Sequence, residues 1–276
     1  MISFNYGLAV VLFAALVVNG VTARVVVAQT KSAENAAKQD PAAQTMQHRR
    51  GPKKLALSNA DGAMVTLWKP DLSTRILKSS MDVITVPPTG VDNYHAIVIE
   101  QDWGDSVDAI IRYEYLRGKP SGKSPTKLTS AIKTDLEIVP DPLPREHHRY
   151  YSGEKAAFLI RYRNQLLKNQ PVVLQTGNGS SLKGVTDNDG RVVMTLPDDF
   201  KNVVTGERDQ RSADLSITTE YLESGKHYNS TLSAEYRVSP VHWQYKSWGL
   251  AAAGVGFLFG GFLTSRVSRS KKERSQ

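Results

Sequence analysis

The loop Pro144 to Gly153, PREHHRYYSG, holds the residues best suited to chemistry. It sets Glu146, His147 and His148 side by side. Two imidazoles and a carboxylate suit nickel, cobalt, copper or zinc. Adjacent residues of an extended segment point apart, so the pair does not chelate by spacing alone. His95, His227 and His242 would have to converge in the fold to extend the set. Asp187 and Asp189 resemble the start of a calcium loop. Such a loop needs a Glu at its twelfth position, where Asp198 stands, so a turn is expected instead. Gly177, Gly179 and Gly184 have the glycines of a phosphate loop. No Gly-Lys-Ser/Thr follows, and the next segment reads as a strand. A hairpin end is expected there. The chain has no G-x-S-x-G, no H-E-x-x-H and no cysteine. No catalytic residue is therefore named, and a non-enzyme is expected. Disulfides, iron–sulfur clusters and thiolate metal sites are excluded.

The elements that must position these residues read as β almost throughout. In Val107 to Tyr115 the odd positions are apolar, and Asp108, Arg112 and Glu114 occupy three of the even ones. Period two predicts a strand with one face inward. Tyr94 to Glu100 is apolar on both faces and predicts a central strand. Met64 to Lys69 and Asp82 to Val86 add shorter strands, and Lys127 to Lys133 is the one candidate helix. A second set runs through Leu136–Val139, Ala156–Tyr162, Val172–Thr176, Leu182–Thr186, Arg191–Leu196, Leu215–Tyr221 and Thr231–Val238. Asp189-Gly190 between two apolar runs predicts a hairpin from Leu182 to Leu196. Seven short strands in about 100 residues fit an immunoglobulin-like or transthyretin-like β-sandwich.

The two ends carry membrane signals. Tyr6 to Val18 is almost wholly apolar and precedes the small-residue patterns Val21-Thr22-Ala23 and Val26-Val27-Ala28. This reads as a signal peptide over 1–28, with retention as an anchor the alternative. Residues 248–265 are uncharged, and 18 residues of helix span about 27 Å. Trp243, Tyr245 and Trp248 precede this stretch. Arg266, Arg269, Lys271, Lys272 and Arg274 follow it, which places the tail inside and the β region outside. Gly256 and Gly260 form a G-x-x-x-G face suited to helix packing. The flanking segments hold twelve of the 35 basic residues and three of the 27 acids. The rest is left with 23 bases against 24 acids. A folded nucleic-acid face would carry its charge as a patch, so no nucleic-acid partner is expected.

The expected organisation is therefore a signal segment at 1–28, a basic disordered linker at 29–54 and an N-terminal β subdomain at 55–134. A sandwich at 135–239, a juxtamembrane piece at 240–247, a membrane helix at 248–265 and a cytoplasmic tail at 266–276 complete it.

LEIVPDPLP at Leu136 to Pro144, Gly153 before an apolar strand, the Pro-led strand at Pro171 to Leu174 and TDNDGRVVMTLP at Thr186 to Pro197 occur in that order. The chain thereby resembles an uncharacterised family of exported β-sandwich proteins often associated with nickel or cobalt uptake. The resemblance covers about residues 60–240. It implies nickel or cobalt as the ion, although the His-rich start of the mature family is missing and only His48 lies in that region.

The reading that follows is a membrane-anchored periplasmic accessory protein that binds a ligand or a protein partner without catalysis. The membrane helix is a further route to self-association. A metal-delivery component of a nickel or cobalt uptake system and a hydrolase without a recognisable motif are the alternatives.

Overall fold

A computed structural model describes residues 52–56, 62–80, 83–145 and 149–244. The signal segment, most of the linker, the apolar stretch at 248–265, the Gly256–Gly260 pair and the basic tail lie outside the described residues. So do Glu146, His147 and His148. Among the described residues no helix is long and apolar enough to cross a membrane.

Seventeen strands and two short helices are described. The first half holds β1 (Lys53–Ala56), β2 (Met64–Trp68), β3 (Thr74–Leu77), β4 (Ser79–Ser80), β5 (Val83–Val86), β6 (Val91–Asp102), β7 (Ser106–Leu116), β8 (Lys119–Pro120) and α1 (Pro125–Ser130). The second holds β9 (Leu136–Pro140), β10 (Tyr150–Tyr151), β11 (Lys155–Tyr162), β12 (Gln165–Leu166), β13 (Pro171–Thr176), β14 (Ser181–Val185), β15 (Arg191–Thr195), β16 (Ser212–Glu223), β17 (Lys226–Arg237) and α2 (Pro240–Trp243).

One long sheet, in the order β14-β13-β16-β17-β7-β6-β2-β3, forms the backbone of the fold. It runs through the boundary expected at residue 134, because β17 pairs in parallel with β7 from His227↔Ser106 to Ser233↔Arg112. Two smaller sheets cover opposite faces of this sheet at opposite ends. The sheet of β9, β11, β12 and β15 lies over β13, β16 and β17, and buries Phe158, Ile160, Leu174, Ile217, Leu232 and Tyr236 between them. The sheet β1-β5-β4 lies over β2, β6 and β7, and buries Leu55, Ile84, Ile97, Ile99 and Ile110. Full burial of each such side chain stabilises the fold by about 1.5–3 kcal/mol. The architecture is mostly β, in several sheets, consistent with an immunoglobulin-like sandwich.

The central strand expected at Tyr94–Glu100 is β6, which has β7 on one side and β2 on the other. Its odd residues Ile97 and Ile99 face the β1–β5 layer. Tyr94 and Ala96 on the other face pack with Leu128 of α1.

Four expectations are corrected. The even face of β7 is not solvent-facing: Asp108, Arg112 and Glu114 are all buried. Glu114 pairs with Lys53 of β1 and accepts from Arg112 Nε at 2.7 Å. Strand β1 also starts inside the segment read as linker.

The run from Leu182 to Leu196 is not a hairpin. The turn itself forms, with the Asp187 carboxylate accepting the backbone N–H groups of Asp189 and Arg191 at 2.9 Å each. However, β14 pairs with β13 and β15 pairs with β11, so the chain crosses from one sheet to the other. Gly190 sits there at φ +67°, with the Leu166 side chain 2.8 Å from where a Cβ would stand.

Helix α1 lies earlier than expected. The Ser124 side chain caps Thr126 N–H and Pro125 occupies the first turn, a position that suits proline. Its C-terminal carbonyls, at Thr129, Ser130 and Ala131, accept from the Arg161 guanidinium.

Candidate binding cavity

The buried charges of the fold are committed to structure. Glu137 is fully buried on β9. It accepts from Arg161 Nε at 2.6 Å and from the backbone N–H of Lys133 at 2.8 Å. The Lys133 ammonium lies 3.4 Å away. Burial lowers the Lys133 pKa, and Glu137 opposes that shift. His95 is buried on β6, with its ring nitrogens 3.1 Å from the Asn93 carbonyl and 2.9 Å from the Thr89 hydroxyl. Burial lowers its pKa and favours the neutral ring.

The histidines do not converge. His227 opens β17 beside Ser106. His242 lies on α2, with Nε2 3.1 Å from Asp198. These two occupy opposite ends of β17, and His95 is enclosed. Among the described residues no group of three or more metal-ligating side chains forms. The Asp187 carboxylate is used in closing the Asp187–Gly190 turn.

What the structure does bring together lies at the end of the sandwich where β13 stops, β16 starts and β17 finishes. A cavity of about 420 Å³ is lined there by Asn178, Asp199, Phe200, Lys201, Arg211 and Ser212. Three segments build it. The β13–β14 turn supplies Asn178 and is closed by Thr176 N–H to the Ser180 carbonyl at 3.0 Å. The chain leaving β15 supplies Asp199 to Lys201. The entry to β16 supplies Arg211 and Ser212.

Asp199 is the fixed point. It accepts from the Tyr236 hydroxyl, from Thr176 Oγ1 at 2.7 Å and from Asn178 Nδ2 at 3.1 Å. Burial alone would raise its pKa. Hydrogen bonds from Tyr236, Thr176, Ser180 and Asn178 outweigh that and hold the carboxyl below its ordinary value. It is therefore an anion at neutral pH. Burial and the adjoining Asp199 raise the Tyr236 phenol, so it donates and stays neutral. Asn178 Nδ2 also donates to the Tyr236 hydroxyl at 2.9 Å. With both its amide hydrogens used, Asn178 presents its carbonyl as the remaining acceptor.

Phe200 is half-buried, with its ring centroid 4.9 Å from that of Tyr236. Arg211 is held by Asp209, with Nε at 3.0 Å and Nη2 at 2.7 Å from Oδ2. The Lys201 ammonium and the Ser212 hydroxyl make no hydrogen bond to other described residues. The cavity thus offers donors, acceptors and an aromatic ring, with one carboxylate, Asp199, and the cation Lys201 both in its lining. Such a set can hold a polar, hydroxylated or zwitterionic molecule by hydrogen bonding and ring contact.

The sequence reading named none of these six as a site. Gly177 to Gly179 is the hairpin end that the sequence predicts. The only available signal was Asp199-Phe200-Lys201 after a strand, an acid, a ring and a base in a row.

Fold and cavity define an all-β module with a polar cleft at one end of its sandwich. No family model and no curated protein sequence matches the chain. Nothing in the comparisons links it to nickel or cobalt. Among solved structures it is distantly similar to SGBP-B of the Bacteroides ovatus mixed-linkage glucan utilization locus, in complex with a mixed-linkage heptasaccharide. That match has 12% identity and a TM-score of 0.20, and covers 69% of this chain and 64% of the other. A 1.5-MDa bacterial ice-binding adhesin matches at 13% identity and a TM-score of 0.23, over 70% of this chain and 59% of that one. The D0–D1 domain of Intimin matches at 10% identity and a TM-score of 0.22, over 68% and 92%. The chain spans less than two thirds of the first two. Likeness at this level carries no argument about ligand or role.

Proposed function

We propose that the chain is an exported, membrane-tethered binding module that acts without covalent chemistry, and that its ligand occupies the cavity around Asp199 and Phe200. The observation that supports this is the Asp199 carboxylate. Bonds from three elements fix it beside a half-buried ring and the donors of Lys201 and Ser212, which are unpaired among the described residues. Preorganised polar groups around an aromatic surface are what a non-covalent site requires. Calorimetry on the folded region with neutral oligosaccharides, amino acids and phosphoethanolamine is the test. Binding by the native protein that Phe200→Ala and Lys201→Ala each abolish supports the site. Binding that survives both places it elsewhere.

The metal-delivery reading rests on the resemblance and on Glu146, His147 and His148, which the described residues do not include. Nickel or cobalt binding lost in a His147→Ala, His148→Ala variant would favour it over the cavity.

A further inference from the structure

We infer that the end of the module carrying α2 and the loop 198–206 is its membrane seat, with Val204 and Val241 resting in the lipid interface. This rests on the reading that residues 248–265 span the bilayer, and adds to it which surface of the β region meets the lipid.

The first observation is where the chain leaves the fold. Strand β17 ends at Arg237 and α2 ends at Trp243. Only five residue steps separate Trp243 from Trp248, where the uncharged stretch begins. Fully extended, they reach at most about 18 Å. The α2 end of the module is therefore held close to the bilayer whatever path those residues take.

The second observation is that α2 is fixed to the module. The Gly206 N–H donates to the Trp243 carbonyl at 2.7 Å. His242 Nε2 lies 3.1 Å from Asp198, and Ser239 N–H donates to Ser152 Oγ at 3.2 Å. Holding α2 near the lipid thus holds the loop 198–206 near it too.

The third observation is the surface so presented. Val204 is 53% exposed and Val241 59% exposed, on the two segments joined through Gly206 and Trp243. Apolar side chains raised on a tethered surface gain by entering the headgroup boundary, to a depth of about 5–10 Å.

The far end cannot take this place while the α2 end is held. Twelve residues of β17 extend about 36 Å along the strand, so the Ser224–Gly225 turn and the exposed Leu222 stand well away from Arg237. The β6–β7 turn lies beside that far end, since Asp105 accepts from His227 N–H at 3.0 Å. A module lying on its side would instead bring an edge strand to the lipid. Ile76 on β3 is 71% exposed and reports that arrangement.

The chain has no cysteine, so the test is direct. The full chain is prepared as four single variants, Val204→Cys, Val241→Cys, Leu222→Cys and Ile76→Cys. Each carries an environment-sensitive fluorophore and is reconstituted into phosphatidylethanolamine–phosphatidylglycerol vesicles containing spin-labelled lipid. The expected result is blue-shifted emission at 204 and 241, quenched roughly twofold or more relative to 222 and 76, as interfacial depth requires. Unquenched labels at 204 and 241, or quenching at 76 or 222, overturn the seat. Alkaline carbonate extraction is run alongside. Release of the chain from vesicles overturns the span and the seat together. Retention with unquenched labels overturns the seat alone.

Discussion

Arg161→Met should be among the most damaging single changes in the folded region. Arg161 is 8% exposed and Glu137 is fully buried. The substitution keeps an apolar stem of similar length and removes only the charged head. It leaves the Glu137 carboxylate in the interior with Lys133 as its remaining partner. It also strips the carbonyls of Thr129, Ser130 and Ala131 of the donor that ends α1. Breaking a buried pair from one side costs about 3–5 kcal/mol. The carbonyls are nearer the surface and recover water, so they add little. A loss of that size is a large share of the ordinary 5–15 kcal/mol of domain stability. For a region of this length it corresponds to a fall in Tm of about 6–20 °C. Urea titration of residues 52–244 at pH 7 measures it directly. The cost belongs to an unpaired charge, so Glu137→Gln in the Arg161→Met background should cost much less than in the native protein. A loss under about 1 kcal/mol, or strict additivity of the two changes, would refute the reasoning.

Asp199→Asn should lower stability at neutral pH. The native carboxyl is held below its ordinary 3.8, so its contribution is present above that value and fades as pH falls through the folded value. Urea midpoints of the two proteins should therefore draw together below pH 4. Gly118→Ala should destabilise by about 1–3 kcal/mol or prevent folding, since a Cβ there would stand 2.1 Å from the Gly90 backbone carbon. Thermal melts check this. A fragment of residues 52–244 should melt well above one of 55–240, which lacks the Lys53 partner of Glu114 and most of α2. Gly256→Ile with Gly260→Ile should weaken self-association or partner capture by the full chain without changing its membrane localisation, as read by cross-linking in detergent.

Strand existence was legible because burial writes itself as period two or as a short apolar run. Every strand expected in the second half is present, from Leu136–Pro140 to Lys226–Arg237. Pairing was less legible. Asp189-Gly190 signals a turn, and a turn forms, but the code for φ > 0 at Gly190 says nothing about which sheet takes the next strand. The two-residue turn Arg163-Asn164, at φ 47° and 70°, carries no glycine and hid β12. The cavity was invisible for a related reason. Asn178, Asp199 and Ser212 come from three separate segments. Asn178 reaches Asp199 directly and both reach the Tyr236 hydroxyl, while Ser212 joins them only as lining of the same cavity, contacts that no local pattern encodes.

The misreading of β7 shows how far local pattern can mislead. Its alternation is real, and an alternating strand with charged even positions ordinarily faces water on that side. What local pattern cannot contain is the cover. Strand β1, more than fifty residues earlier, pairs with β5 and lays Leu55 and Ile84 over Ile110. Charges on the covered face must then find partners, and they do. Arg112 reaches Glu114 at 2.7 Å and Ser233 at 3.2 Å, and Lys53 crosses from the covering sheet to Glu114. The Glu114 carboxyl ends below its ordinary value even though burial alone would raise it, because the two cations outweigh desolvation. Lys53 thus joins the cover to the long sheet, and the residue that the sequence assigns to the linker is part of the fold.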